Sequence, residues 1–282
     1  MAAYRFCRTD DIELLVSALN HCWAPQFPEE PLMTAAVFKR SIRDLQVWCS
    51  SCMVAFSGSD PIGVLIGAKR PSGTLIHKIA VHPEHQRQGH ARHLLDSLGS
   101  KLAILGPPRI VTEVPESFSA ACELFGASGY VQEAVLTDYV ADTGGAAVDL
   151  PDRFVIPVTV DDLTANGLLG GSDSTVCWAR APESIAARKD EIAGLAVASE
   201  DQLEAYVLYS TDAAEAHVLS LRSLVDDDGA RLSQLVSRLH SQLNACSVQK
   251  AHPSEVSPAL LTRIGFRPTH THRLYATTAR SA

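Results

Sequence analysis

Six residues, Gln86 to Ala91 (QRQGHA), carry the clearest chemical signature in this chain. Gly89 lets backbone approach a ligand with no side chain in the way, and the small Ala91 keeps a following helical turn uncrowded. With a helix starting here, the N–H groups from Gln86 to Arg92 and the positive end of the helix form an anion site suited to a diphosphate. Arg87 and Arg92 add positive charge. Four histidines, His82, His85, His90 and His93, crowd the same stretch; without a cysteine or carboxylate at ligand spacing they are expected to face solvent. Cys49 and Cys52 form a CxxC with no second pair, which argues against a metal or redox centre.

The elements around the hexapeptide suit that chemistry. From Gly73 to Val81 the residues alternate as in a strand, with Leu75, His77, Ile79 and Val81 on one face and Ile76, Lys78 and Ala80 on the other. Pro83 stops the pairing. Ala91, Leu94, Leu95, Leu98, Leu102 and Leu105 then fall at helical spacing and predict one buried stripe.

A Q/R-x-x-G-x-G/A loop between such a strand and such a helix, with VHP at the strand end and GASGY at Gly126 to Tyr130, resembles the GNAT superfamily of acyl-CoA-dependent N-acyltransferases. The resemblance covers roughly the first half of the chain. It implies that acetyl-CoA is the co-substrate, its pyrophosphate cradled by Gln86, Arg87, Gln88, Gly89, His90, Ala91 and Arg92. Its pantetheine arm would hydrogen-bond the backbone of Ile79, Ala80 and Val81. LIHKIAV further resembles the corresponding strand of the arylalkylamine N-acetyltransferases, which makes His77 the candidate base; its ordinary pKa lies near neutrality. Where many members carry a Glu two residues earlier, this chain has Leu75. Two other positions depart from the pattern: Phe125 replaces a frequent tyrosine acid, and Phe118 an asparagine that meets pantetheine. In the family the loop between the first two helices borders the acceptor. Here that loop is HCWAPQFPEEP, and Trp23 and Phe27 with Glu29 or Glu30 would face an amine cation.

Taken in order, Tyr4 to Arg8 reads as a strand, the segment after Thr9-Asp10 as a helix, and Met33 to Trp48 as a second helix. A hairpin turning at GSD precedes the central strand. A strand at Arg109 to Val114, a helix at Ser117 to Phe125 and a strand at Tyr130 to Val140 follow the long helix. Residues 142–152 read as a linker. Beyond it the pattern returns: strands at Ile192 to Ala198, Leu203 to Tyr209 and His217 to Leu221, then a stripe at Leu232, Leu235, Val236, Leu239 and Leu243. Gly229 echoes Gly89, and His217 stands where His77 does. Asp226, Asp227 and Asp228 precede Gly229, and three carboxylates there would repel a diphosphate. The expectation is an α/β (α+β) protein of tandem GNAT-like mixed-sheet domains with helices on both faces. Residues 1–141 form the acyltransferase domain, and 153–282 a degenerate copy.

The composition fits: 282 residues, 46% hydrophobic and 20% charged, enough for two cores. A net charge of −8 disfavours nucleic acid as partner. No run is long and apolar enough for a membrane span, the N-terminus lacks a secretory pattern, and seven scattered cysteines fit a reducing cytoplasm. The expected activity is acetyl transfer to a primary amine of a small molecule or peptide. The rival is a non-catalytic acyl-CoA-binding regulatory or scaffold module.

Overall fold

A computed structural model describes residues 2–142, 155–169 and 176–279. The chain forms two compact units, one of Met1–Ala134 with Arg273–Ala282, the other of Val135–His272. These are not the contiguous blocks 1–141 and 153–282. The expected linker, from residue 143 on, lies outside the described residues.

The first unit contains β1 (Ala2–Phe6), α1 (Ile12–Trp23), α2 (Ala35–Asp44), β2 (Met53–Ser57), β3 (Asp60–Arg70), β4 (Gly73–Val81), α3 (His90–Leu105), β5 (Arg109–Pro115) and α4 (Ser119–Ala127). Its sheet runs β1-β2-β3-β4-β5 and is closed by the end of the last strand, β12 (Arg267–Thr278). The reason for the split lies in the core. Tyr275 of β12 packs into the same cluster as Leu94, Leu98 and Phe125, so a cut at residue 141 would strip that core of a buried aromatic.

The second unit opens with β6 (Val131–Asp142), which pairs antiparallel with β11 (Ala245–Ala251) from Ala245↔Asp142 to Ala251↔Thr137. Tyr139 and Ala141 are thereby buried with Leu232, Leu235 and Leu239. Between them come β7 (Val155–Pro157), α5 (Val160–Ala165), α6 (Pro182–Ala187), β8 (Ala193–Ala198), β9 (Leu203–Asp212), β10 (Glu215–Ser223) and α7 (Ala230–His240); α8 (Pro258–Arg263) follows β11. The sheet order is β6-β11-β10-β9-β8-β7. One face buries α7 and α8, and the other buries Val160, Leu163 and Ile185 of α5 and α6.

Two periodicities need correction. In α3 the stripe Leu94, Leu95, Leu98 and Leu102 is buried, but Leu105 is 68% exposed because the helix ends there, with Gly106 as its C-cap. In β4 the alternation breaks: β3 pairs Ile66 with Lys78 and Gly67 with Ile76, so His77 is an extra residue, a β-bulge. Ile76 and Ile79, three apart, therefore both pack toward α3 and α4. Lys78 falls to the other side of the sheet, where its ammonium lies over the Trp23 ring at the end of α1.

Asp138 ties the second unit together. Its carboxylate accepts from the Lys250 amide (2.7 Å) and His272 Nε2 (2.8 Å). Burial pushes this carboxyl up, but the His272 and Lys250 hydrogen bonds together outweigh it and hold it below its usual range. A depressed carboxyl stabilises the fold above its unfolded pKa of about 3.9 and loses that contribution as pH falls through the lower folded value. Asp138→Asn should therefore lower stability at neutral pH and flatten its fall below about pH 4, measured by urea unfolding across pH 2 to 7.

Candidate functional site

The site begins where two parallel strands part. β4 and β5 pair only from Thr74↔Ile110 to Ile76↔Thr112, and there the Thr112 hydroxyl donates to the Ile76 carbonyl at 3.1 Å. Past Ile76, β4 keeps β3 on one side and diverges from β5 on the other. The bulge at His77 coincides with that parting.

A cavity of about 420 Å³ lies along the end of β4 beyond that parting. Its floor is Ile79, Ala80 and Val81 of β4; its rim is the loop from His85 to Arg92; its far wall is α4, through Ala120, Ala121, Glu123, Leu124 and Ala127. All of the residues expected to hold the cofactor line it except Gln88, whose side chain donates to the Glu84 carbonyl. The α4 wall and Gln26 were not anticipated. Their signal was the small side chains of Ala120, Ala121 and Ala127, which let the helix stand close without filling the cavity.

The loop geometry suits an anion. Gly89 caps α3 in the left-handed region (φ 85°, ψ 0°), and Arg87 is also left-handed (φ 60°). Among the described residues, the amides of Arg87 to Arg92 donate to no carbonyl, so six N–H groups remain for a ligand. The Gln86 amide is not among them, since it donates to Pro83 at 3.3 Å. The Gln86 side chain also serves the frame: with Gln26 it caps the Val81 carbonyl, both at 3.1 Å. Arg92 is likewise engaged, its guanidinium donating to the Ala127 carbonyl at the end of α4 (2.7 Å).

The histidines are not simply solvent-facing. His21 stacks on His82 (centroids 4.6 Å apart), His85 stands edge-on to His90 (6.4 Å), and Tyr4 lies over His93 at 3.8 Å. The Tyr4 hydroxyl is 2.6 Å from His90 Nδ1. When Tyr4 donates there, the proton of neutral His90 sits on Nε2, and this ring lines the cavity. Of the four loop histidines, His93 is exposed and the other three are half-buried. Cys52 is buried with its thiol pushed up by that burial, the opposite of a reactive or ligating thiolate. Among the described residues no cluster of metal-ligating side chains occurs.

On the α1 side of the sheet, Trp23 and Phe27 lie tilted against each other at 4.5 Å, and Phe27 meets Phe118 at 5.0 Å. The carboxylate beside these rings is that of Glu30, which accepts from the Trp23 indole at 2.8 Å; Glu29 is exposed. Phe125 is buried in the core, edge-on to Tyr130, and does not line the cavity.

The second unit repeats the parting and places its own side chains there. β10 and β11 pair from Glu215↔Ala245 to Val218↔Val248, and a bulge at Leu219 follows. Leu219, not His217, is thus the counterpart of His77. His217 is an ordinary paired strand residue, 2.9 Å from Ser247 Oγ. Arg180 enters at the parting: it donates to the Val218 carbonyl (2.7 Å) and grips Glu255 through two nitrogens (2.5 and 3.1 Å). At α7, Gly229 caps in the left-handed region as Gly89 does (φ 87°). There Asp227 accepts from the amides of Gly229 (3.0 Å) and Arg231 (2.7 Å). The chain's own carboxylate occupies the end of the helix.

Residues 13–130 match the model of the acetyltransferase (GNAT) family. This segment is a GNAT domain. The fold of the whole chain is that of tandem GNAT proteins. It aligns over 99% of its length with 96% of a GCN5-related N-acetyltransferase from Sphaerobacter thermophilus (12% identity, TM-score 0.68). It aligns over its full length with the whole of a tandem GNAT protein from the clavulanic acid biosynthesis pathway (14%, 0.65). A third, a putative acetyltransferase from Pyrococcus horikoshii, is covered to 90% by 99% of this chain (15%, 0.63). The family and fold support acyl-CoA-dependent acetyl transfer in general.

Two substitutions test the contrast between the units. Asp227→Ala should destabilise the second unit by about 1 kcal/mol, the usual cost of a lost helix cap. Glu255→Ala should cost about 3–5 kcal/mol, because Arg180 is left charged and buried. Denaturant unfolding monitored by tryptophan fluorescence reads both.

Proposed function

We propose that the first unit is an N-acetyltransferase that moves acetyl from acetyl-CoA to a primary amine of a small molecule or peptide. The observation that carries this reading is the cavity at the parting of β4 and β5, with unclaimed amides at its rim. The residues fit the group: a diphosphate on the amides of Arg87 to Arg92 beside Arg87, and an extended amide chain along Ile79, Ala80 and Val81. Bound there, the thioester would supply an activated acetyl group.

The chain's own residues then divide the work by face. The cofactor cavity opens toward α3 and α4, and the acceptor enters from the α1 side, where Trp23 and Glu30 stand beside Lys78, the residue after His77. A base on the acceptor's side can take the ammonium proton, so that the neutral nitrogen attacks the carbonyl carbon as the C–S bond breaks. Backbone N–H groups of β4 near Ile79 would polarise the carbonyl oxygen. With Phe125 in the core and no tyrosine lining the cavity, the departing thiolate takes the second proton, which the nitrogen sheds as the amide forms, while the first passes from His77 to solvent. The second unit, filled by Arg180 and Asp227, binds no cofactor and acts as a structural half. A cytoplasmic setting is in keeping with seven free cysteines, six of them buried.

Titration calorimetry with coenzyme A should give one site per chain, abolished by Gly89→Glu, which places a carboxylate among the amides. Thiol release across a panel of amines should fall by about 10²–10⁴ in His77→Ala. Binding without turnover on any amine would favour a non-catalytic acyl-CoA-binding module; unchanged activity in His77→Ala would remove that residue as base.

A further inference from the structure

The aromatic and acidic side chains on the α1 side form a site for a cation, and a cation is already in it. Lys78 Nζ stands 3.9 Å from the centre of the Trp23 ring and 3.5 Å from Glu30 Oε2. The same Glu30 oxygen accepts from the Trp23 indole N–H at 2.8 Å, so ring and carboxylate are held together as one receptor. Phe27 packs against Trp23 at a tilt of 32°. Such an arrangement, a π-face with a carboxylate at its edge, is how proteins recognise alkylammonium groups.

Lys78 reaches this receptor because of the bulge. With no bulge, strict alternation from Ile76 would turn Lys78 to the core face and Ile79 out of it. The bulge instead keeps Ile76 and Ile79 packed and leaves Lys78, next in sequence to His77, on the acceptor side. The residue beside the candidate base is therefore the one that fills the cation receptor. The ammonium is not buried beyond exchange: its side chain keeps 20% of its exposure and that of Glu30 keeps 47%.

We propose that Lys78 is a tethered stand-in for the acceptor's ammonium group. Trp23 and Glu30 hold it when the acceptor is absent, and an acceptor that arrives as an alkylammonium ion binds by displacing it. The consequence is selectivity of two kinds. Neutral and anionic acceptors gain nothing at the receptor. Weakly binding cations fail to dislodge a competitor that is always present at high local concentration. The inference rests on the acyltransferase reading for the identity of the incoming cation, but the receptor itself is independent of it.

The probe is tetramethylammonium, which has no transferable proton and cannot be acetylated. Its binding is followed through the broadening of the probe's own methyl resonance in wild type, Lys78→Met, Lys78→Gln and Lys78→Met/Trp23→Leu. Lys78→Met and Lys78→Gln should bind the probe at least about fivefold more tightly than wild type, the scale of one cation–π contact regained. Adding Trp23→Leu should abolish the gain. If neither single variant binds better than wild type while both still unfold cooperatively, the inference is overturned. Coenzyme A titrations of the same samples separate the two readings: intact cofactor binding with no gain in probe affinity sinks the stand-in alone, whereas tighter probe binding in a protein that binds no cofactor upholds the receptor and sinks the acyltransferase.

Discussion

A strand that leaves its neighbour abandons backbone hydrogen bonds, and a folded protein must satisfy those groups or suffer for it. β4 leaves β5 after Ile76, and β10 leaves β11 after Val218. Much of what distinguishes the two units follows from how each meets that demand. In the first, Thr112 and the Gln26–Gln86 pair cap the two ends of the opening and leave the middle for a ligand. In the second, Arg180 reaches the equivalent carbonyl and carries its own counter-ion, Glu255.

The same contrast holds at the helix ends. Gly89 and Gly229 adopt nearly the same left-handed conformation, so both helices begin with amides turned outward. Asp227 answers those of α7 from within the chain, while those of α3 have no such partner among the described residues. The Asp triplet reads from sequence as repulsion. The geometry adds that one of the three carboxylates is a resident anion that caps the helix, which is stabilising rather than merely exclusionary.

How much of this was legible in the sequence depended on whether the signal was local. The hexapeptide, the leucine stripe and the order of elements are local patterns, and they identified the loop, α3 and the repeat. Bulges are not local, because they are set by register with a neighbouring strand. The alternation from Leu75 to Val81 therefore set Ile76 with Lys78 rather than with Ile79, and paired His77 with His217 instead of Leu219. The exchange of closing strands was also hidden: β6 and β12 look alike in pattern, and only packing of Tyr139 and Tyr275 reveals which core each one serves. Trp23 and Phe27 were found by type, but their carboxylate partner proved to be Glu30, and their cation Lys78, for reasons that need coordinates.

Backbone amide exchange offers the most direct test of an open first unit beside a self-filled second one. Hydrogen–deuterium exchange with and without saturating coenzyme A should show new protection at Ile79 to Val81 and Arg87 to Arg92. It should show no change at Leu219 to Arg222 or Gly229 to Leu232. Protection gained in the second set, or in neither, would contradict the account.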